Sequence, residues 1–111
     1  MPLELTDQTW DEEITQSKGI SLVDVWAPWC GPCLIVGPVV EEIAGEYAGR
    51  AKVGKLNADE NRKPAEFGIT GIPTLLFFKD GKLVDQIVGA VPKETITAKL
   101  DYYLSGDTAQ S

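Results

Sequence analysis

The sequence predicts an α/β domain built on a mixed sheet with helices on both faces. Three observations carry this expectation. Short β-branched runs alternate with four-spaced apolar patterns through most of the chain. The last third closes with an Asp-Gly hairpin signal followed by one more helical pattern. The length of 111 residues, 43% of them hydrophobic, suits one domain with a single modest core.

The elements follow in order. Thr6-Asp7 reads as a helix start, Trp10 and Ile14 lie four apart on one face, and Gly19 closes the segment, which predicts a helix over 7–17. Ile20–Trp26 is rich in β-branched and apolar residues and ends at Ala27-Pro28, as a central strand would. A longer helix is predicted over 30–47, where Ile35, Val39, Ile43 and Tyr47 repeat at spacings of four, with a kink expected at Pro38. Ala51–Asn57 reads as a strand, 59–68 as an acidic turn with a short helix, and 73–78 as a strand. Asp80-Gly81 marks a hairpin whose second arm is 83–88. Pro92 starts a last helix with Ile96, Leu100 and Leu104 as its buried stripe, and 105–111 is expected to be a frayed polar tail.

Composition narrows the chemistry. Ten Lys and Arg against 17 Asp and Glu give a formal net charge of −7, which opposes nucleic acid and anionic membrane as partners. Two cysteines and no histidine cannot supply the roughly four ligands of a structural zinc site within one chain. Histidine triads are excluded, so a proton acceptor must be a carboxylate, a lysine, a thiolate or water. No basic start followed by an apolar run appears in the first seven residues, which predicts a cytoplasmic protein without a secretory signal. Apolar stretches such as Leu34 to Val40 fall far short of the roughly 20 residues needed to span a bilayer. No long apolar seam suggests an obligate dimer, so a soluble monomer is expected.

Cys30-Gly31-Pro32-Cys33 sits at a strand-to-helix junction. On a helix this spacing puts the two Cα atoms about 5 Å apart, within the disulfide range. So short a loop makes a weak staple, which favours a reversible bond over a structural one. Cys30 also falls where helical N–H groups are unpaired and the dipole is positive, which favours its thiolate and marks it as the nucleophile. From the spacing alone, two inert apolar cysteines or half of a metal site remain open.

The octapeptide Trp26-Ala27-Pro28-Trp29-Cys30-Gly31-Pro32-Cys33 closely resembles the active-site signature of the thioredoxin family. The likeness runs from about Leu3 to Leu104 through Val23-Asp24-Val25, Lys55-Leu56-Asn57, Gly71-Ile72-Pro73-Thr74 and Val88-Gly89-Ala90, in the family's order. It implies a thioredoxin fold, five mixed strands flanked by four helices, and a general reductant of disulfide-containing protein substrates, with no bound cofactor or metal. Cys30 would attack, Cys33 would resolve, and a flavin-dependent thioredoxin reductase would restore the dithiol.

Period-two alternation puts Leu22, Asp24 and Trp26 on one strand face, so Asp24 lies among apolar neighbours. An exposed or strand-end aspartate is the alternative. The resemblance implies a buried base, with raised pKa, for the proton of Cys33. Lys55 shares a face with Val53 and Asn57; it reads as a snorkelling surface lysine or, as the resemblance implies, as the charge beside Asp24. The base rate of roughly 5% for cis X-Pro bonds predicts trans at Ile72-Pro73, whereas the resemblance implies cis, with the Ile72 backbone pairing to an extended substrate. It further implies an apolar docking surface of Trp29, Gly31, Pro32, Ile72, Pro73, Gly89 and Ala90, with a mere cap on the core as the lesser alternative for Trp29. Trp26 is expected to pack beneath the site.

Two positions depart from the family pattern: Leu34 stands where many relatives carry Lys or Arg, and Ala58 is smaller than the usual aliphatic residue, which predicts a shallower docking surface. An oxidant or isomerase is the nearest redox alternative, but Gly31-Pro32 resembles the reducing branch. A non-catalytic binding module using the same surface is the alternative from another class.

Overall fold

The structure, a computed structural model, describes residues 1–106. In chain order the elements are β1 (Leu3–Leu5), α1 (Asp11–Thr15), β2 (Ile20–Trp26), α2 (Gly31–Glu46), β3 (Ala51–Asn57), α3 (Lys63–Glu66), β4 (Thr74–Lys79), β5 (Lys82–Val88) and α4 (Lys93–Leu104). The strands form one five-stranded sheet in the order β1-β3-β2-β4-β5. β1, β3 and β2 run parallel, while β4 and β5 are antiparallel to their neighbours. This is the mixed sheet with flanking helices that the alternation of patterns predicts.

β2 is the centre of the molecule. Its period-two alternation sends Ile20 and Leu22 into a cluster with Val36, Val40 and Ile43 of α2 and Ile96 and Leu100 of α4. Val23 and Val25 point the other way, into a cluster with Leu5, Trp10, Ile14 and Phe78. The two clusters lie on opposite faces of the sheet, so a one-residue slip of β2 would exchange them.

Several boundaries differ from the sequence expectation. The first helix is much shorter than 7–17. Thr6 does not cap it: Thr6 and Thr9 exchange side-chain and backbone hydrogen bonds within the preceding turn, and only Asp11–Thr15 is a helical segment, with no side-chain cap and wound wide enough that the Gln16 N–H reaches the Asp11 carbonyl at 2.9 Å. Asp7 turns away from that helix and accepts the N–H groups of Arg62 and Lys63 at 2.8 and 3.0 Å, capping α3 instead. The buried stripe of α2 is Cys33, Val36, Val40 and Ile43, continued by Tyr47 at its C-cap, whereas Ile35 is exposed and Val39 half-buried. The helix is continuous through Pro38.

β1, which the residue pattern did not signal, pairs with β3 from Leu3 to Leu5. β4 and β5 each begin one residue away from the expected bounds, and Asp80-Gly81 makes the turn between them with φ of 50° and 84°. In α4, Ile96 and Leu100 are buried but Leu104 is only half-buried, because it occupies the helix's last turn. Of the expected frayed tail, Ser105 and Gly106 are exposed, and 107–111 lies outside the described residues.

Candidate active site

The site forms where β2 ends and α2 begins. Cys30 has an extended backbone and serves as the N-cap of α2; its sulfur accepts the Cys33 N–H at 3.2 Å. A sulfur in that position satisfies one of the orphan donors of the first helical turn and feels the positive end of the helix dipole. Pro32 lies in the first turn, where a missing N–H removes no intrahelical bond. Cys30 and Cys33 are joined by a disulfide with their Cα atoms 5.2 Å apart. Cys33 lies on the buried stripe of α2, which is why the stripe runs through 33, 36 and 40 rather than 35 and 39.

The pair is nearly enclosed, Cys30 being 4% and Cys33 2% exposed, and Trp29 stands beside it at 71% exposure. Trp29 therefore does not cap the core. Its indole N–H donates to both carboxylate oxygens of Asp59, at 2.9 and 3.1 Å, which fixes the ring over the loop after β3. Sequence reasoning missed Asp59, since a contact between residues 30 apart leaves no local signal. Gly31 and Pro32 are exposed beside Trp29, and the Ile72 carbonyl oxygen lies 3.8 Å from the Cys30 sulfur. The Ile72-Pro73 bond is cis, as the resemblance implied and against the base rate. The Gly89 N–H donates to the Pro73 carbonyl at 2.8 Å, which brings Gly89 and exposed Ala90 to the Pro73 side of the cysteines.

Ala58 lines a groove of about 320 Å³ with Trp29 and Ile72.

Behind the disulfide lies Asp24, only 2% exposed, with one carboxylate oxygen lacking any hydrogen-bond partner. Its cross-strand neighbours are Lys55 on β3 and Leu75 on β4. Burial pushes the carboxyl from 3.8 up to about 6, and the charge of Lys55 pulls in the opposite direction. The Lys55 ammonium sits over the indole of Trp26, 4.2 Å from the ring centroid. A cleft of about 230 Å³ connects these groups, with Asp24, Trp26 and Lys55 on the sheet side and Cys33, Leu34 and Glu41 on the α2 side. Asp24 and Cys33 thus line one cleft.

Among the described residues, no helix is long and apolar enough to cross a membrane.

Comparison with known proteins agrees with this geometry. The thioredoxin family model matches residues 1–102. The chain is 54% identical over 102 residues to thioredoxin 2 of Chlorobaculum tepidum, covering 91% of this chain and 94% of the relative. Over 101 residues it is 54% identical to thioredoxin 1 of Synechococcus elongatus, covering 90% of this chain and 94% of that protein. It is 48% identical over 101 residues to the chloroplastic M-type thioredoxin of Pisum sativum, covering 90% of this chain and 59% of that relative. A helix-capping cysteine pair at the carboxyl end of the central strand of a β1-β3-β2-β4-β5 sheet, within a chain of this similarity, carries dithiol–disulfide exchange, and the chain belongs to the thioredoxin family.

Proposed function

We propose that this chain reduces disulfides in partner proteins, with Cys30 as nucleophile, Cys33 as resolving thiol and Asp24 as the acceptor of the Cys33 proton. The observation that carries the assignment is the N-cap position of Cys30, whose sulfur is held by a backbone N–H while Cys33 shares a cleft with Asp24. The Cys30 thiolate attacks one sulfur of the partner's disulfide; the other partner sulfur leaves as a thiolate, and a mixed disulfide forms. Asp24 takes the proton of Cys33, and the resulting thiolate attacks the Cys30 sulfur. The partner leaves with both of its sulfurs reduced, and this chain is left with the Cys30–Cys33 disulfide.

Recharging requires two electrons and two protons from a reductase, of which a flavin-dependent thioredoxin reductase is the proposed source. The proposed setting is a cytoplasmic, reducing compartment, because a reductant must be kept as the dithiol. Trp29, Gly31, Pro32, Ile72, Pro73, Gly89 and Ala90 are proposed to seat an extended segment of the partner against the cysteines. Lys55 is assigned to temper the basicity of Asp24.

The roles separate by mutation. Cys30→Ser is expected to abolish reduction of insulin disulfides, while Cys33→Ser is expected to trap the partner as a mixed disulfide visible on a non-reducing gel. Full turnover by Cys30→Ser, or trapping by that variant instead of Cys33→Ser, would overturn the assignment.

A further inference from the structure

Lys55 and Asp24 are register partners on adjacent parallel strands, and strands in a sheet lie about 4.8 Å apart. The four-carbon lysine stem is long enough to lay its ammonium on the carboxylate beside it. It does not do so. Among the described residues Lys55 joins no carboxylate in an ion pair, and its ammonium lies over the ring of Trp26 instead. Trp26 is two residues beyond Asp24 on β2 and therefore projects from the same face of the strand. An ammonium within about 6 Å of an indole centroid is attracted by the ring's negative face, most strongly where water is scarce.

We propose that Trp26 is a positioning residue whose indole face holds the Lys55 ammonium beside the Asp24 carboxylate but out of contact with it. The inference rests on the reading of Asp24 as the proton acceptor and supplies the feature that keeps it one. In direct contact with a cation, a carboxylate's pKa drops by roughly 1 to 3. Asp24 would then bind the Cys33 proton more weakly. With no cation near, burial alone would push the carboxyl higher and favour its protonated form. The stand-off leaves it between these limits.

The remaining groups around Asp24 do not supply this balance. β4 presents Leu75 as its register partner and neutral Thr74 beside it. α2 presents Cys33, bound in the disulfide, and Glu41, an exposed carboxylate across the cleft whose charge acts in the opposite sense to that of Lys55. Among the described residues Lys55 is thus the sole cation lining the cleft, and Trp26 is the group that sets its distance.

The test is a carbon-13 carboxyl titration of Asp24 in the oxidised full chain. The parent is compared with Trp26→Leu and Trp26→Phe, each with Lys55 present and with Lys55→Met. Trp26→Leu is expected to titrate about one pH unit below the parent, as Lys55 closes on the carboxylate. Trp26→Phe, whose ring holds a cation less firmly, is expected between them. In the Lys55→Met background, replacing Trp26 is expected to move the titration little.

An unchanged or higher midpoint in Trp26→Leu overturns the proposal. So does an equal drop in the Lys55→Met background, which would mean that water entering the cleft, and not the lysine, is responsible. If Trp26→Leu does not fold, the same comparison with Trp26→Phe decides, and an unmoved midpoint there overturns the proposal. No turnover is needed, so failure here leaves the role of Asp24 standing. A fully active Asp24→Asn would remove that role while leaving the position of Lys55 measurable.

Discussion

Asp24 combines burial with an unpartnered oxygen, and both features work against its ionised form. Its carboxyl titrates at 3.8 in the unfolded chain and at about 6 in the native state. Between those values the native state holds a proton that the unfolded chain has lost. The stability this proton confers is complete below 3.8 and is lost as pH rises through about 6. Raising a pKa from 3.8 to about 6 corresponds to a penalty of about 3 kcal/mol on the ionised native protein at pH 8. Asp24→Asn is therefore expected to be more stable than the parent by up to about 3 kcal/mol at pH 8, with the gap closing near pH 4, while resolving mixed disulfides more slowly. Urea denaturation at the two pH values checks the first part; the same gap at both would show that the effect is not the carboxyl's titration. The position of Asp24 was legible because strand alternation needs only neighbouring residues, and the cysteine pair because its signature is contiguous. Asp59 was not, since its bond to the Trp29 indole exists only after the loop beyond β3 folds back over the site.

At the scale of elements, what the sequence concealed follows a consistent physical rule: strands and hairpins declared themselves, and helix faces did so less well. Ile20–Trp26 and Ala51–Asn57 have the same bounds in sequence and structure, the first of them set between Gly19 and Ala27-Pro28. In α2 the apolar residues Ile35 and Val39 alternate with Val36 and Val40, so two stripes fit the same spacing. The choice between them is made by Cys33, whose sulfur must turn inward to meet Cys30. β1 is three residues long and gains its identity only from pairing with β3, which no local pattern announces. Asp7 has the chemistry of a cap, but the helix it caps is 56 residues further on.

The hairpin turn shows the same dependence on distant partners. Gly81 has a φ of 84°, and a Cβ placed there would collide with the carbonyl of Thr15, so the last turn of α1 packs directly on the β4–β5 turn. Gly81→Ala is expected to lose about 2 kcal/mol or more, combining left-handed strain of roughly 1 to 2 kcal/mol with a backbone collision that no rotamer relieves. The midpoint of urea unfolding measures it, and disulfide reduction per folded molecule is expected to be unchanged. A variant as stable as the parent would show that α1 is not seated against the turn.

Across the whole molecule, the cysteines form a small cluster of their own beside the two cores. The clusters on either side of the sheet are built from buried aliphatic and aromatic residues of eight elements or their flanks, while Ala27, Cys30 and Cys33 form a third small cluster at the end of β2. Active groups gathered beyond the carboxyl ends of parallel strands are the general arrangement of open α/β sheets, because there the chain must leave the sheet and helix N-termini converge. The disulfide in that third cluster closes a loop with a sequence separation of only 3. By loop-closure entropy such a bond stabilises the fold by about 2 kcal/mol at most, a small part of what two packed clusters provide. Reduction is therefore expected to leave the far-ultraviolet spectrum and the cooperativity of unfolding intact and to lower stability by no more than about 2 kcal/mol. Urea titrations of the oxidised chain and of the chain held in dithiothreitol measure the difference. A loss well beyond that figure, or a loss of cooperativity, would mean that the sulfurs brace the core, and a bond that braces the core cannot be exchanged with a partner without disturbing the fold that presents it.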